Sequence, residues 1–166
     1  MEKRSIPTKF NHEGRKLWGY AAVWDSPTII HEGRRNYTEI VRRSAFATIS
    51  QDVICTFNHD PSKLLGRVSS GTLQLKQDEH GLRFEVDLPD TATGQEVRQL
   101  AERGDITGAS FAFAVKRDKW NKDTRELLDL DLFELGPVAL AAYPQTEIGL
   151  RGVSFYKYKL RLAEME

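Results

Sequence analysis

Two stretches of this chain, GTLQLKQ at 71–77 and GLRFEVDL at 81–88, alternate apolar and polar residues with a period of two. Only an extended strand sends every second side chain to the same side. Leu73 and Leu75 share one face of the first stretch, and Leu82, Phe84, Val86 and Leu88 line one face of the second. Asp78-Glu79-His80 joins them as a turn. The pattern predicts a β-hairpin with one buried face, and it commits the chain to a β-rich core.

Other segments extend that reading. KLWGYAAVW from Lys16 predicts a strand closed by Asp25-Ser26-Pro27, and YTEIV at 37–41 another, with the charged HEGRRN at 31–36 as a loop between. Ser44 is a candidate cap for a brief helix through Ser50. VICTFNHD at 53–60 reads as a strand that stops at Pro61. Residues 91–104, TATGQEVRQLAERG, carry the one clear helix signature: Val97, Leu100 and Ala101 share a face and Gly104 follows as a stop. A strand at 110–117, a polar turn around 120–124 and the apolar run 127–144 complete the pattern. The tail YKYKLRL alternates strictly.

About seven strands against one or two helices predict a mostly β, α+β domain. The expected architecture is a closed or partly open β-barrel with one or more flanking helices. The expected organisation is a loose N-terminal arm at 1–15, one domain at 16–152, and a C-terminal strand or tail at 153–166. At 166 residues a single domain is the natural size. Lys plus Arg equals Asp plus Glu at 24 each, which argues against direct nucleic-acid or membrane-surface binding. One cysteine, Cys55, excludes an intrachain disulfide and fits a reducing compartment. No secretory h-region and no spanning apolar run is present, so the expectation is a cytoplasmic protein.

Three residues stand out chemically. In GDITGASFAFAV at 104–115, Ser110 follows Gly108 and Ala109 and shares a strand face with Ala112 and Ala114. Such small neighbours would leave it open to an incoming backbone. Serine needs an adjacent base to become a nucleophile; taken alone, Ser110 fits better as a strand-start residue bonded to its own backbone. His59, at the end of an apolar strand before Asp60-Pro61, is the proton acceptor of the right kind, or else a turn histidine bonded to Asp60. Glu134 continues the parity of Leu128, Leu130 and Leu132, so it either orients a histidine from a core-facing position or swings into solvent at a bulge.

What joins them is a resemblance. NHD with LLGR at 58–67, the GxS-plus-aromatic strand at 108–111, and FELGPVALAAYPQTEI at 133–148 resemble the tailed-phage prohead proteases, which mature capsids and are distantly similar to the herpesvirus assemblin proteases. GYAAVWDSPT and YTEIVRRSAFATI resemble that family's opening, so the likeness runs over about residues 16 to 150. It implies a herpesvirus-protease-like fold and a serine endopeptidase with Ser110 as nucleophile, His59 as base and Glu134 as third member, with Asp131 in reserve. Gly136-Pro137 departs from the more regular strand usual there. Arg67 and the backbone near Ser110 are the oxyanion candidates. The implied substrates are the scaffolding segment of the major capsid protein and the protease itself, inside the prohead assembling in the bacterial cytoplasm. Residues 91–104 are a candidate homodimer helix, or simply cover the barrel.

No cofactor or metal is expected, since there is no HExxH, no paired CxxC and no ligand spacing among four histidines. Cys55 is a poor rival nucleophile: four strand residues separate it from His59 by about 13 Å. The alternative from another class is a non-enzymatic β-barrel that assists capsid assembly or binds a partner.

Overall fold

The computed structural model describes residues 1–141. They form eleven strands, one α-helix and one short 3₁₀ helix. In chain order the elements are β1 (Glu2–Pro7), β2 (Asn11–Glu13), β3 (Lys16–Val23), β4 (Thr28–Glu32), β5 (Arg35–Val41), the 3₁₀ turn Arg43–Phe46, β6 (Ile54–Phe57), β7 (Asp60–Arg67), β8 (Leu73–Gln77), β9 (Gly81–Asp87), α1 (Ala92–Arg103), β10 (Gly108–Asn121) and β11 (Thr124–Val138). The predicted tail at 153–166 lies outside the described residues.

The strands make two sheets. One runs β2-β3-β9-β8; the other runs β1-β10-β11-β5-β4, with β6 also paired to β11 and β7 to β6. β11 takes two parallel partners in succession, β5 against residues 124–127 and β6 against residues 134–135. Among the described residues both sheets are open, so the closed form of the expected barrel is not formed. The hairpin predicted over 71–88 is β8–β9, with Leu73 opposite Val86 and Leu75 opposite Phe84. Its apolar face meets β10 and β11 in one core, where Phe46, Phe84, Phe111, Phe113, Leu130 and Leu135 are all buried. Burial at roughly 25 cal/mol per Å² of apolar surface makes this cluster the main source of stability.

The helix is capped as its sequence predicts. The Thr91 side chain accepts from the Gly94 N–H, and Gly104 closes the end in the left-handed region at φ 78°. Val97 is fully buried.

Four local expectations are corrected. Residues 31–36 are no loop but the tip of a tight β4–β5 hairpin, in which His31 pairs with Asn36. Ser44 caps no helix to Ser50; its hydroxyl donates to Leu128 O, and only the turn Arg43–Phe46 is helical. Pro61 does not end the strand run, because it lies inside β7, which among the described residues pairs only with β6 and so tolerates a residue without an N–H. Residues 2–7, expected as part of a loose arm, form β1 and pair antiparallel with β10 from Glu2–Phe113 to Pro7–Gly108.

β1 is held by a buried ionic cluster. Arg4 donates to Glu39 through Nε at 2.5 Å and Nη2 at 2.8 Å, and to Glu2 at 2.7 Å. Arg125 reaches Glu2 at 2.9 Å, Glu39 at 3.3 Å and Asp118 at 2.7 Å. The Glu39 side chain is 3% exposed and both arginine side chains 11%. Burial works to lower the Arg125 pKa, but hydrogen bonds to Glu2 and Asp118 outweigh it and raise it.

Candidate active site

β6 and β7 are joined by two residues, Asn58 and His59, with φ of 56° and 58°. Two consecutive left-handed residues are what a type I′ hairpin turn requires. Asparagine adopts that conformation more readily than most residues, and histidine is enriched there too. The turn is anchored to β11: Asn58 N–H donates to Pro137 O at 3.1 Å, and Asn58 Oδ1 accepts from Ala139 N–H at 2.8 Å. Asp60 accepts from the N–H and hydroxyl of Ser62.

The imidazole reaches across the sheet. His59 Nδ1 lies 2.9 Å from Glu134 Oε2 and Nε2 lies 2.5 Å from Ser110 Oγ. Residues 51 and 75 positions from His59 along the chain thus meet at one ring. The Thr56 hydroxyl donates to the other oxygen of Glu134.

A bulge decides where Glu134 points. Ala112 pairs with Glu134 but Phe113 pairs with Leu132, leaving Phe133 as the extra residue on β11. Leu130 and Leu132 face the core; past the bulge Leu135 does so, and Glu134 turns to the opposite side beside Ala112. The carboxylate does not continue the leucine parity, nor is it lost to solvent: its side chain is 13% exposed. Burial alone would raise its pKa. Hydrogen bonds from His59 and Thr56 outweigh that and hold it below the usual carboxylate value.

Gly136 makes the close approach possible. It stands opposite Ser110, and a Cβ there would come within 2.0 Å of Thr56 O. β11 and β6 could not lie this close with a side chain at that position.

Ser110 is not open, as its small neighbours led us to expect: its exposure is 0%. Small residues here admit neighbouring strands instead. Ser5 of β1 stands opposite it, and Arg4 O, 2.8 Å from Ser110 Oγ, is a second acceptor for the Ser110 hydroxyl. The other sequence candidates lie elsewhere. Asp131 is exposed and sits 3.5 Å from Lys116 Nζ. Arg67 Nη1 sits 3.5 Å from Asp52 Oδ1 and lines a surface cavity with Ile54, Asp131 and Phe133. Backbone near Ser110 is paired on both edges, with β1 and β11. Cys55 is fully buried, and burial drives its thiol pKa well up, so it is unreactive.

Sequence reasoning missed Thr56, Asn58, the Arg4 carbonyl and Ser5. A signal existed for two of them: Thr56 is the polar residue in an otherwise apolar strand, and an asparagine before a sharp reversal favours the left-handed region. β1 gave none, since EKRSIP is polar and its partner lies about a hundred residues away.

No curated protein and no solved structure matches this chain. The family model described as caudovirus prohead serine protease matches residues 3–160, which spans β1 through β11 and continues beyond them. A match over nearly the whole chain is decisive: this chain belongs to the caudovirus prohead serine protease family, whose members are capsid-maturation proteases of phages.

Proposed function

We propose that the chain is a serine endopeptidase that works through Ser110, His59 and Glu134. Its substrates are the scaffolding segment of the major capsid protein and the protease's own chain, within the prohead. The observation that carries this is the unbroken hydrogen-bonded series from Thr56 and Glu134 through the imidazole to the Ser110 hydroxyl.

Glu134, kept ionised, accepts from Nδ1–H and so leaves the lone pair of Nε2 facing Ser110. As Oγ bonds to the scissile carbonyl carbon, its proton passes to Nε2. The imidazolium then donates that proton to the leaving nitrogen as the C–N bond breaks. A water molecule, deprotonated by the same nitrogen, opens the acyl-enzyme and restores Ser110. In the resting arrangement the single hydroxyl proton has two acceptors, His59 Nε2 and Arg4 O. A substrate strand that moves β1 aside removes the second acceptor and uncovers Oγ.

The test is fluorophosphonate labelling together with cleavage of co-expressed capsid protein. Labelling at Ser110 is expected, and its loss in Ser110→Ala and His59→Ala. Cleavage by Glu134→Gln should fall by on the order of 10⁴-fold. Undiminished cleavage in Ser110→Ala would overturn the proposal. A folded wild type that neither labels nor cleaves within assembling particles would leave the non-enzymatic assembly module.

A further inference from the structure

We infer that Asn58 is a positioning residue for the general base: it fixes the His59 turn to the end of β11, and thereby sets the imidazole against Ser110 and Glu134. The inference rests on the serine-protease proposal for its kinetic consequence, but its geometry is independent of it.

His59 sits on a two-residue connection at the free end of a hairpin whose second strand, β7, has no further partner among the described residues. Nothing in that hairpin alone sets the height of the ring above β10. The groups it must meet are on other strands, Glu134 on β11 and Ser110 on β10. Asn58 spans this gap twice. Its backbone N–H and its side-chain oxygen bond to groups two residues apart, Pro137 O and Ala139 N–H, just past Gly136, the residue opposite Ser110. It also supplies the first left-handed residue of the pair, without which His59 could not follow in the second. Asn58 itself touches neither Ser110 nor Glu134 in any hydrogen bond; it acts through the placement of His59.

The two contributions of Asn58 separate by substitution. Asn58→Gly keeps the left-handed conformation and removes the side-chain bond to Ala139. Asn58→Asp keeps a side-chain acceptor at the same distance and tolerates the conformation. Asn58→Ala loses both. Each variant is assayed for kcat and KM on a capsid-scaffold peptide. The low-field proton resonance of His59 Nδ1–H is recorded alongside, and thermal unfolding checks that each variant is folded.

A misplacement of the ring of about 1 Å corresponds to on the order of 10²-fold in rate. Asn58→Gly should therefore lose about that factor in kcat with KM unchanged, and its His59 Nδ1 resonance should broaden. Asn58→Asp should restore most of both, and Asn58→Ala should be the poorest of the three. An Asn58→Gly protein with wild-type kcat and a sharp His59 resonance would overturn the inference, as would Asn58→Asp no better than Asn58→Gly. The resonance reports ring placement even in a protein without peptidase activity, so failure of the protease proposal leaves this test intact.

Discussion

Replacing Glu39 with glutamine should both destabilise the protein and unmask Ser110. Glu39 is the carboxylate that Arg4 and Arg125 share, and its side chain is 3% exposed. Glutamine preserves its shape and one acceptor oxygen but removes the charge and turns one acceptor into a donor that faces a guanidinium. Breaking a buried ion pair from one side costs roughly 3–5 kcal/mol, because the partner stays behind uncompensated. Here Arg4 and Arg125 both keep Glu2, and Arg125 keeps Asp118, so the lower end, about 3 kcal/mol, applies. For a domain of this size each kcal/mol moves Tm by about 2–4 °C, so the melting temperature should fall by about 6–12 °C. Arg4 belongs to β1, whose backbone carbonyl meets the Ser110 hydroxyl. Loosening β1 should therefore accelerate fluorophosphonate labelling of Ser110 at temperatures where the variant is still folded. Circular dichroism melts and a labelling time course read the two effects, with the exposed Glu79→Gln as the control. A Tm indistinguishable from that control would refute the electrostatic argument. A lower Tm with slower labelling would refute the idea that β1 shields Ser110.

Two further outcomes follow from the same geometry. Gly136→Ala must push β11 away from Thr56 O, so we expect a loss of about 1–3 kcal/mol in denaturant unfolding together with a fall in kcat, because Gly136 lies opposite Ser110. Wild-type stability in that variant would contradict the close approach. Acid should weaken the fold through Glu134 and Glu2. Burial works to raise both, but hydrogen bonds from His59 and Thr56 to Glu134, and from Arg125 to Glu2, leave both below the ordinary value of 4.5. A carboxylate with a depressed folded pKa contributes stability above its unfolded value and loses it as the pH falls through the folded one. Unfolding free energy should thus be level near neutrality and decline below about pH 4.5, and Glu134→Gln should flatten that decline. A variant with the same acid dependence as wild type would remove Glu134 from the account.

The β8–β9 hairpin and α1 were legible because each is specified locally: a period of two, a period of 3.6, a cap and a left-handed glycine all lie within the segment they define. β1 and β7 were not. Their pairing partners supply the reason they are strands, and Pro61 reads as a stop until β7 is seen to be an edge among the described residues. The site divides the same way. Residue type and position made His59 and Ser110 candidates that only the family resemblance joined, whereas the orientation of Glu134 could not be read at all, because unbroken alternation from Leu132 would carry it into the core. The bulge at Phe133 and the left-handed pair at 58–59 are two places where the strands break their own rule, and together they bring the carboxylate and the imidazole to the Ser110 face. The left-handed pair has a local cost, on the order of 1–3 kcal/mol for a residue in a sparsely populated backbone region. The hydrogen bonds that Glu134, Thr56, His59 and Asn58 make across β6, β10 and β11 offset it. A glutamate that continues a leucine stripe is therefore better read as evidence of a bulge than as a buried charge, since one inserted residue costs a strand far less than an unpaired carboxylate costs a core.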